Sequence, residues 1–313
     1  MLTAQGSRKS RLLWACAIAV VAGVAASVIS VLPGVLWIFR KVAVHEDIAY
    51  VKDQSSAHTL DLYLPDQFWG KPLPVVMFIH GGAWIKGDKG VGAPDFLARQ
   101  GFATASINYR LATQAKFPAQ LDDCRSAIKW IKANADRYHL DASHIGVWGV
   151  SSGGHLAALV GLLPEVNGKS KPENKDAESD QVQAVCDCCG PTDLETIGQQ
   201  CHQNGVIDWR SKGSPLDLLL GGPLKEHLGQ ARQASPVNFV RDSAPPFLIM
   251  HGDKDDTVPI AQSQELARAL TGVGAKCELV IVKGGDHNFL DRASLAQIKE
   301  FFDSSLCSGS SLH

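Results

Sequence analysis

The chain has 313 residues, 45% of them hydrophobic, and its 30 lysines and arginines against 32 aspartates and glutamates leave a net charge of −2. This length and composition suffice to bury a large core in a single α/β domain. The near-neutral charge, with no basic run interleaved with aromatic residues, argues against nucleic acid as a partner.

The first predicted element is an uncharged run of 28 residues, Leu12 to Phe39. Basic residues flank it on both sides: Arg8, Lys9 and Arg11 before it, Arg40 and Lys41 after it. A membrane-spanning helix needs about 20 apolar residues, whereas the apolar part of a cleaved signal has about 7–15. We therefore predict that residues 1–41 form an uncleaved signal anchor, a transmembrane segment, with domain 42–313 on the extracytoplasmic side. Three small residues keep secretion after cleavage open as the alternative: Ala22, Ala25 and Ala26.

Strands and helices alternate through the rest of the chain. Alternating apolar residues over 42–64 predict two leading antiparallel strands, and helices are predicted over 90–100 and 117–139. Short apolar runs predict four further strands: Pro74–Ile79, His144–Val150, Pro245–Met250 and Cys277–Val282. This alternation predicts an α/β fold, a mostly parallel sheet covered by helices on both faces, with ligands at the carboxyl ends of its strands. The irregular stretch 194–243 is predicted to be a cap-like insertion.

A serine lies at one of the predicted strand-to-helix corners, in Gly149-Val150-Ser151-Ser152-Gly153-Gly154. Such a corner exposes the serine Oγ at the top of the sheet, and the glycines allow the tight turn. The Ser152 amide would then point into the site from a helix N-terminus, which favours an oxyanion. We predict Ser151 as a nucleophile. The alternative for this motif alone is a helix start capped by serines.

The loop after the strand Pro74–Ile79 reads His80-Gly81-Gly82-Ala83-Trp84. Acyl transfer needs fixed donors where the carbonyl oxygen becomes negative, and small residues let main-chain N–H groups approach that point. We predict that the amides of Gly82, Ala83 and Ser152 form an oxyanion hole. Gly81 is predicted to supply the freedom for the turn.

Two later loops carry an acid and a base. A serine hydroxyl needs an imidazole to take its proton and a carboxylate to orient that imidazole. The loop after Pro245–Met250 holds Asp253, Asp255 and Asp256, and the loop after Cys277–Val282 holds His287. Both loops follow strands and therefore lie at the edge of the sheet where Ser151 also lies. Spacing alone does not separate the three aspartates.

Together these segments resemble the esterase/lipase group of the α/β-hydrolase fold, near hormone-sensitive-lipase-type and feruloyl-esterase-like carboxylesterases. The resemblance covers residues 45–303 and rests on seven motifs: HGGAWIKGDK from His80, NYRL from Asn108, FPAQLDD from Phe117, GVSSGGH from Gly149, GPTD from Gly190, HGDKDDTVP from His251 and GGDHNF from Gly284. It implies that Asp255 is the acid and His287 the base, in the chain order Ser151, Asp255, His287. It also implies hydrolysis of short acyl esters, acetyl or feruloyl, on a small molecule or a polysaccharide.

No cofactor and no metal is predicted. The chain has no H-E-x-x-H motif, and neither His80 nor His155 has a carboxylate at ligand spacing. His80 is predicted to organise the oxyanion loop by hydrogen bonding. His155 is predicted to be a packed helix residue, and His251 a buried histidine with a backbone partner.

Eight cysteines occur, Cys16 in the apolar run and seven in the domain: Cys124, Cys186, Cys188, Cys189, Cys201, Cys277 and Cys307. The C-x-C-C spacing of the cluster is not that of a zinc site. Outside the cytoplasm, a disulfide between this cluster and Cys201 is the expected pairing. Because seven is an odd number, at least one thiol is free or pairs between chains.

Two other functions stay open at this point. One is a serine peptidase or amidase on the same fold, such as an acylaminoacyl peptidase or a formamidase. The other is a non-catalytic binding protein, which would be expected to lack a triad residue. The sequence does not determine the oligomeric state.

Overall fold

An eight-stranded sheet organises residues 41–66, 70–92, 94–163, 180–201 and 205–307, which are the residues that the computed structural model describes. The strands are β1 (Val42–Ala49), β2 (Thr59–Pro65), β3 (Leu73–Ile79), β4 (Ala103–Ile107), β5 (Leu140–Val150), β6 (Ala184–Cys188), β7 (Phe247–Gly252) and β8 (Cys277–Val282). Their order is β1-β2-β4-β3-β5-β6-β7-β8. Pairing is antiparallel for β1 with β2 and β2 with β4, and parallel for all the other neighbours. The predicted α/β fold and its two leading antiparallel strands are confirmed.

Helices cover both faces of this sheet. They are α1 (Asp95–Ala98), α2 (Ala119–Ala133), α3 (Ala135–Tyr138), α4 (Ser152–Leu162), α5 (Ile197–Gln200), α6 (Pro215–Leu220), α7 (Leu228–Gln233), α8 (Ile260–Gly272) and α9 (Arg292–Leu306). Successive side chains of a strand point to opposite faces. Accordingly Met77 of β3 lies in the core that α2, α4 and α8 cover, whereas Phe78 lies in the core on the other face, which α1 and α9 cover. The central strands read as continuous apolar runs because both faces are buried.

Two predicted helices differ from those observed. The helix predicted over 90–100 is reduced to the single turn α1, since Gly92 has left-handed backbone (φ +100°) that a helix does not accommodate. The helix predicted over 117–139 is divided into α2 and α3 at Asn134, whose ψ of 12° departs from helical geometry. The buried face predicted for α2 is observed: Leu121, Cys124, Ile128 and Ile131 are at most 2% exposed.

Between β6 and β7, the described residues 194–201 and 205–243 contain the short helices α5 to α7 and single 3₁₀ turns at Leu224–Glu226 and Pro236–Phe239. Trp209 anchors this insertion, because its side chain is only 3% exposed and its Nε1–H donates to the carbonyl of Thr257, 2.8 Å away. The insertion therefore packs against the loop that follows β7. That it acts as a cap over a substrate stays a prediction.

The predicted membrane anchor lies outside the described residues. Among the helices that the structure does describe, none combines the length and the apolar character that crossing a membrane requires. The run from Leu12 to Phe39 is not part of that set, so the anchor stays a prediction.

Candidate active site

Ser151 occupies a strained corner between β5 and α4. Its backbone is left-handed in φ (56°) with ψ at −123°, a conformation that costs a non-glycine residue about 1–3 kcal/mol. The corner is held by the hydrogen bond from the Ser151 N–H to the carbonyl of Cys188, 2.7 Å long. The helix packs so closely behind it that a Cβ on Gly153 would lie 2.0 Å from the carbonyl oxygen of Ile79. Close packing therefore requires a glycine at position 153, and the hydrogen bond to Cys188 holds Ser151 at the turn between β5 and α4.

The three predicted acid, base and nucleophile side chains meet at the carboxyl edge of the sheet. Ser151 Oγ lies 3.0 Å from His287 Nε2, and His287 Nδ1 lies 2.7 Å from Asp255 Oδ2. Since an ionised carboxylate only accepts, the proton of the neutral imidazole is on Nδ1 and Nε2 is free to accept from the serine hydroxyl. The arrangement can remove the proton from Ser151 as it attacks an electrophile.

The structure distinguishes Asp255 from its two neighbours. Its carboxylate is fully buried, Oδ1 accepts from the N–H groups of Thr257 and Val258 at 2.8 and 2.9 Å, and Oδ2 faces His287 and also His251 Nε2 at 3.1 Å. Burial raises the pKa of Asp255, but the hydrogen bonds from His251, His287 and Val258 outweigh it and hold the pKa below its usual value. Asp253 instead accepts from the Gly284 N–H at 2.7 Å, and Asp256 is exposed.

The oxyanion loop is built on left-handed backbone. Gly82, Ala83 and Trp84 have φ of 119°, 54° and 61°. Within the described part of the chain, the N–H groups of Gly82, Ala83 and Ser152 find no hydrogen-bond acceptor. The structure thus leaves three amide donors unpartnered on the two segments that meet at Ser151.

The role predicted for Gly81 is wrong. The positive φ values begin at Gly82, so Gly81 does not supply the freedom of the turn. Its lack of a side chain serves a close approach instead, because a Cβ there would lie 2.8 Å from the Val150 carbonyl oxygen and 3.3 Å from the Ser151 Cβ. Gly81 lets the oxyanion loop lie directly against the nucleophile.

His80 lies within this loop and is 1% exposed. Its Nδ1 donates to the carbonyl of Gly81 at 2.7 Å, and its ring stacks on Tyr109 with centroids 4.4 Å apart. The Tyr109 hydroxyl in turn donates to the His80 carbonyl at 3.1 Å. Burial lowers the pKa of His80, which favours the neutral ring. These contacts place His80 as a brace of the loop, apart from the proton-transfer chain.

Two side chains next to the site have partners that sequence reasoning missed. His251 has the backbone partner that was predicted, Val258 O at 3.0 Å, but the same nitrogen also reaches Asp255. His155 is not simply packed in the helix, since both of its ring nitrogens are hydrogen-bonded, to Trp84 and to Ala234. The spacing of His251 four residues before Asp255 was a usable signal; no comparable signal links His155 to its partners.

The expected disulfide is not formed. All seven cysteines in the described part of the chain are free. Cys186, Cys188 and Cys189 lie in the core on the α1 and α9 face of the sheet, whereas Cys201 packs against the core on the opposite face. The sheet stands between them, and the Cys201 thiol donates to the carbonyl of Gly198 at 3.1 Å.

One group of donors in the described residues has a composition that zinc accepts: Cys189 Sγ, an Asp255 oxygen and a His287 nitrogen lie within 4.8 Å of one another. Asp255 and His287 already bond to each other, and burial raises the pKa of the Cys189 thiol well above its ordinary value. The arrangement therefore favours a protonated thiol beside an acid–base pair. Metal-free chemistry stays a prediction.

Comparison with known proteins finds esterases among the relatives of this chain. The chain is 31% identical over 249 residues to esterase LipC of Mycobacterium tuberculosis, covering 74% of this chain and 57% of that one. It is 30% identical over 235 residues to isoprenylcysteine alpha-carbonyl methylesterase ICME of Arabidopsis thaliana, covering 74% and 54%. The chain thus spans about half the length of the curated relatives it matches.

Solved structures give fuller coverage. A truncated carbohydrate esterase from gut microbiota superposes with a TM-score of 0.72 at 30% identity, covering 85% of this chain and 96% of that one. The thermophilic esterase Est2 of Thermogutta terrifontis superposes with a TM-score of 0.65 at 26% identity, covering 87% and 95%. The profile of the BD-FAE family matches residues 60–270, from β2 into the last turn of α8. The chain belongs to the BD-FAE family, within the esterase/lipase group of α/β-hydrolases.

Proposed function

We propose that the protein hydrolyses carboxylic esters through an acyl-enzyme on Ser151. The observation that carries the proposal is the unbroken hydrogen-bond chain from Asp255 through His287 to Ser151 Oγ, at 2.7 and 3.0 Å, beside three unpartnered amides. Relatives in the family are named as esterases and carboxylic ester hydrolases.

The reaction proceeds in two halves. His287 Nε2 takes the Ser151 proton as Oγ bonds to the ester carbonyl carbon, and the buried carboxylate of Asp255 stabilises the resulting imidazolium. The amides of Gly82, Ala83 and Ser152 hold the tetrahedral oxyanion. The C–O bond to the alcohol breaks as His287 returns the proton to the leaving oxygen. Water then repeats the steps, with His287 taking its proton, and releases the acid and the free serine.

For the substrate, we propose esters with a short acyl group, acetyl foremost, carried by a small molecule or a carbohydrate. The similarity to a carbohydrate esterase, 85% of this chain being covered, supports a carbohydrate as the alcohol part of the substrate. The Thermogutta esterase has been solved with butyrate and with propionate bound, which supports a short acyl group. A feruloyl group is the second candidate, favoured by the resemblance of the sequence motifs to feruloyl-esterase-like carboxylesterases.

The test measures kcat and KM of the full chain on p-nitrophenyl acetate, butyrate and octanoate, on a feruloyl ester and on an acetylated sugar. We expect kcat/KM to fall as the chain lengthens, and Ser151→Ala to abolish turnover of every ester. Ser143→Ala is the matched control, because Ser143 is an exposed residue of β5 away from the site. Turnover that survived Ser151→Ala would overturn the triad.

Two other outcomes point elsewhere. The Thermogutta esterase has been solved phosphorylated by paraoxon, so paraoxon labelling of Ser151 reports an activated serine independently of any substrate. Labelling without ester turnover would indicate a peptidase or an amidase. Neither labelling nor turnover would indicate a non-catalytic binding protein.

We also propose that residues 1–41 anchor the domain at a membrane, on its extracytoplasmic side. The uncharged run of Leu12 to Phe39 supports this. Protease added to intact cells should then remove the domain, and protection of the domain would contradict the placement.

A further inference from the structure

Trp84 and His155 form a contact that the reaction itself does not use. Trp84 Nε1 donates to His155 Nδ1 at 3.2 Å, and His155 Nε2 donates to the carbonyl of Ala234 at 2.7 Å. All three residues are fully buried. These two hydrogen bonds thus connect the oxyanion loop, through α4, to the 194–243 insertion.

The two partners define the tautomer of His155. An indole N–H can only donate and a carbonyl can only accept, so Nδ1 carries no proton and Nε2 carries one. Burial lowers the pKa of His155 to about 4, which keeps the ring in this neutral form at ordinary pH. The neutral ring therefore accepts a hydrogen bond at Nδ1 and donates one at Nε2, so both nitrogens have a partner.

The contact lies where the oxyanion loop is most strained. Ala83 and Trp84 are both left-handed without being glycine, and such backbone persists only where its surroundings hold it. The indole is held at its nitrogen by His155, and the Trp84 carbonyl accepts from the Ala112 N–H at 2.7 Å. Displacing the indole would release the backbone that carries the Ala83 amide.

His155 also belongs to the first turn after the nucleophile. Its own N–H donates to the Ser151 carbonyl at 3.0 Å, in the turn that presents the Ser152 amide. One residue therefore contacts both segments that carry the predicted oxyanion donors. The bond to Ser151 is a main-chain bond of the helix, whereas the bonds to Trp84 and Ala234 are made by the imidazole and depend on the histidine.

We propose that His155 is a positioning residue of the oxyanion hole, which links the Trp84 indole to the Ala234 carbonyl and so aims the amides of Ala83 and Gly82 at the reacting oxygen. The inference rests on the proposed esterase function. It also gives the 194–243 insertion a part in the reaction, through Ala234.

The test is a double-mutant cycle on the full chain. His155→Phe keeps a ring of similar size and removes both hydrogen bonds, and Trp84→Phe removes the indole N–H. Each should lower kcat on p-nitrophenyl acetate about 10- to 100-fold, with KM changed less than about threefold, because the amides act on the transition state. The double variant should be no slower than the slower single variant, since both act through one contact.

A rescue separates positioning from folding. Glutamine presents an acceptor and a donor in the same order as this tautomer, so His155→Gln should recover most of the lost kcat. Leu159→Ala, in the same helix and the same core, is the control, because it should lose stability and keep kcat. The rate of Ser151 phosphorylation by paraoxon should fall with kcat in His155→Phe.

Several results would overturn the proposal. They are an unchanged kcat in His155→Phe, additive losses in the cycle, or a failure of His155→Gln to recover activity while it remains folded. If His155→Phe does not fold, hydrogen exchange of the Trp84 indole N–H in the wild type decides, since fast exchange would contradict the contact. Failure of the esterase function would look different, because the wild type itself would then turn over none of the esters.

Discussion

The loop after β7 and the end of strand β6 each bury a carboxyl group, that of Asp255 in the loop and that of Asp187 in the strand, and their surroundings shift its pKa in opposite directions. Asp255 is surrounded by donors, two backbone amides and two imidazoles, which outweigh burial and lower its pKa. Asp187 accepts from the Gly190 N–H alone, at 2.9 Å, and its Oδ2 has no partner among the described residues. Burial therefore raises the pKa of Asp187 to about 6.

The difference shows that burial does not decide the charge of a carboxyl group near the site. The two strands are neighbours in the sheet, and each residue is at most 5% exposed. What separates them is the number of donors within hydrogen-bonding distance. A group that must stay charged through a catalytic cycle is surrounded by donors, and a group that is half-satisfied is stabilised as the neutral acid.

The largest effect is expected at Asp255. Asp255→Asn keeps the shape of the side chain but replaces the ionised carboxylate with a neutral amide. The amide NH₂ group donates a hydrogen bond to His287 Nδ1, so the proton of the imidazole moves to Nε2 and His287 can no longer accept the serine proton. We expect kcat to fall about 10⁴-fold. Asp256→Asn, an exposed change in the same loop, should stay within about twofold of the wild type. Equal losses in the two variants, measured on p-nitrophenyl acetate, would remove the distinction drawn between these aspartates.

Asp187→Asn should change stability rather than kcat. Because the folded pKa of about 6 lies above the unfolded value of 3.8, the native state holds the proton more tightly, and stability is lost as pH rises between these values. That loss is about 3 kcal/mol above pH 6, since each pKa unit corresponds to about 1.4 kcal/mol. The asparagine variant should therefore be more stable at pH 8, with a gain that vanishes towards pH 4.

Urea unfolding at pH 4, 6 and 8 measures this gain. Asp123→Asn supplies the contrast, because Asp123 is 2% exposed but is bonded to Arg110 at 2.6 Å. Removing that charge should destabilise the protein at pH 8. A gain from Asp187→Asn that did not depend on pH would show that Asp187 is ionised in the native state.

The free energy of unfolding should depend on pH at His155 with the opposite sign to that at Asp187. Burial lowers its pKa from 6.5 in the unfolded chain to about 4 in the folded one, so stability is lost as pH falls between these values, by about 3 kcal/mol in full. We expect unfolding free energies of His155→Phe to fall less between pH 7 and pH 4 than those of the wild type. Parallel curves for the two proteins would contradict a buried neutral imidazole at this position.

How much of the fold and of the site could be predicted from the sequence depends on how far apart along the chain the residues in contact lie. The strands around Ser151 were predicted because an apolar run is a local signal, and the motif around it located the serine. Asp255 needed the family resemblance, since Asp253 and Asp256 share its loop. The contact from Trp84 to His155 spans 71 residues and that from His155 to Ala234 spans 79, so no local pattern encodes either. The disulfide failed as a prediction because sequence spacing does not show on which face of the sheet a cysteine lies.

The smallest effect is expected at His251, and it tests whether the donors around Asp255 act together. His251→Phe removes one donor to Oδ2, and hydrogen bonds to charged groups are worth about 1.5–3 kcal/mol, so we expect kcat to fall about tenfold. In the Asp255→Asn background the same change should have little further effect, because the charge that it supports is gone. Ser263→Ala is the control, since it removes only the partner of the other ring nitrogen, at 2.7 Å. If His251→Phe lowered kcat equally in both backgrounds, His251 would act through packing, and the low pKa of Asp255 would rest on its remaining donors.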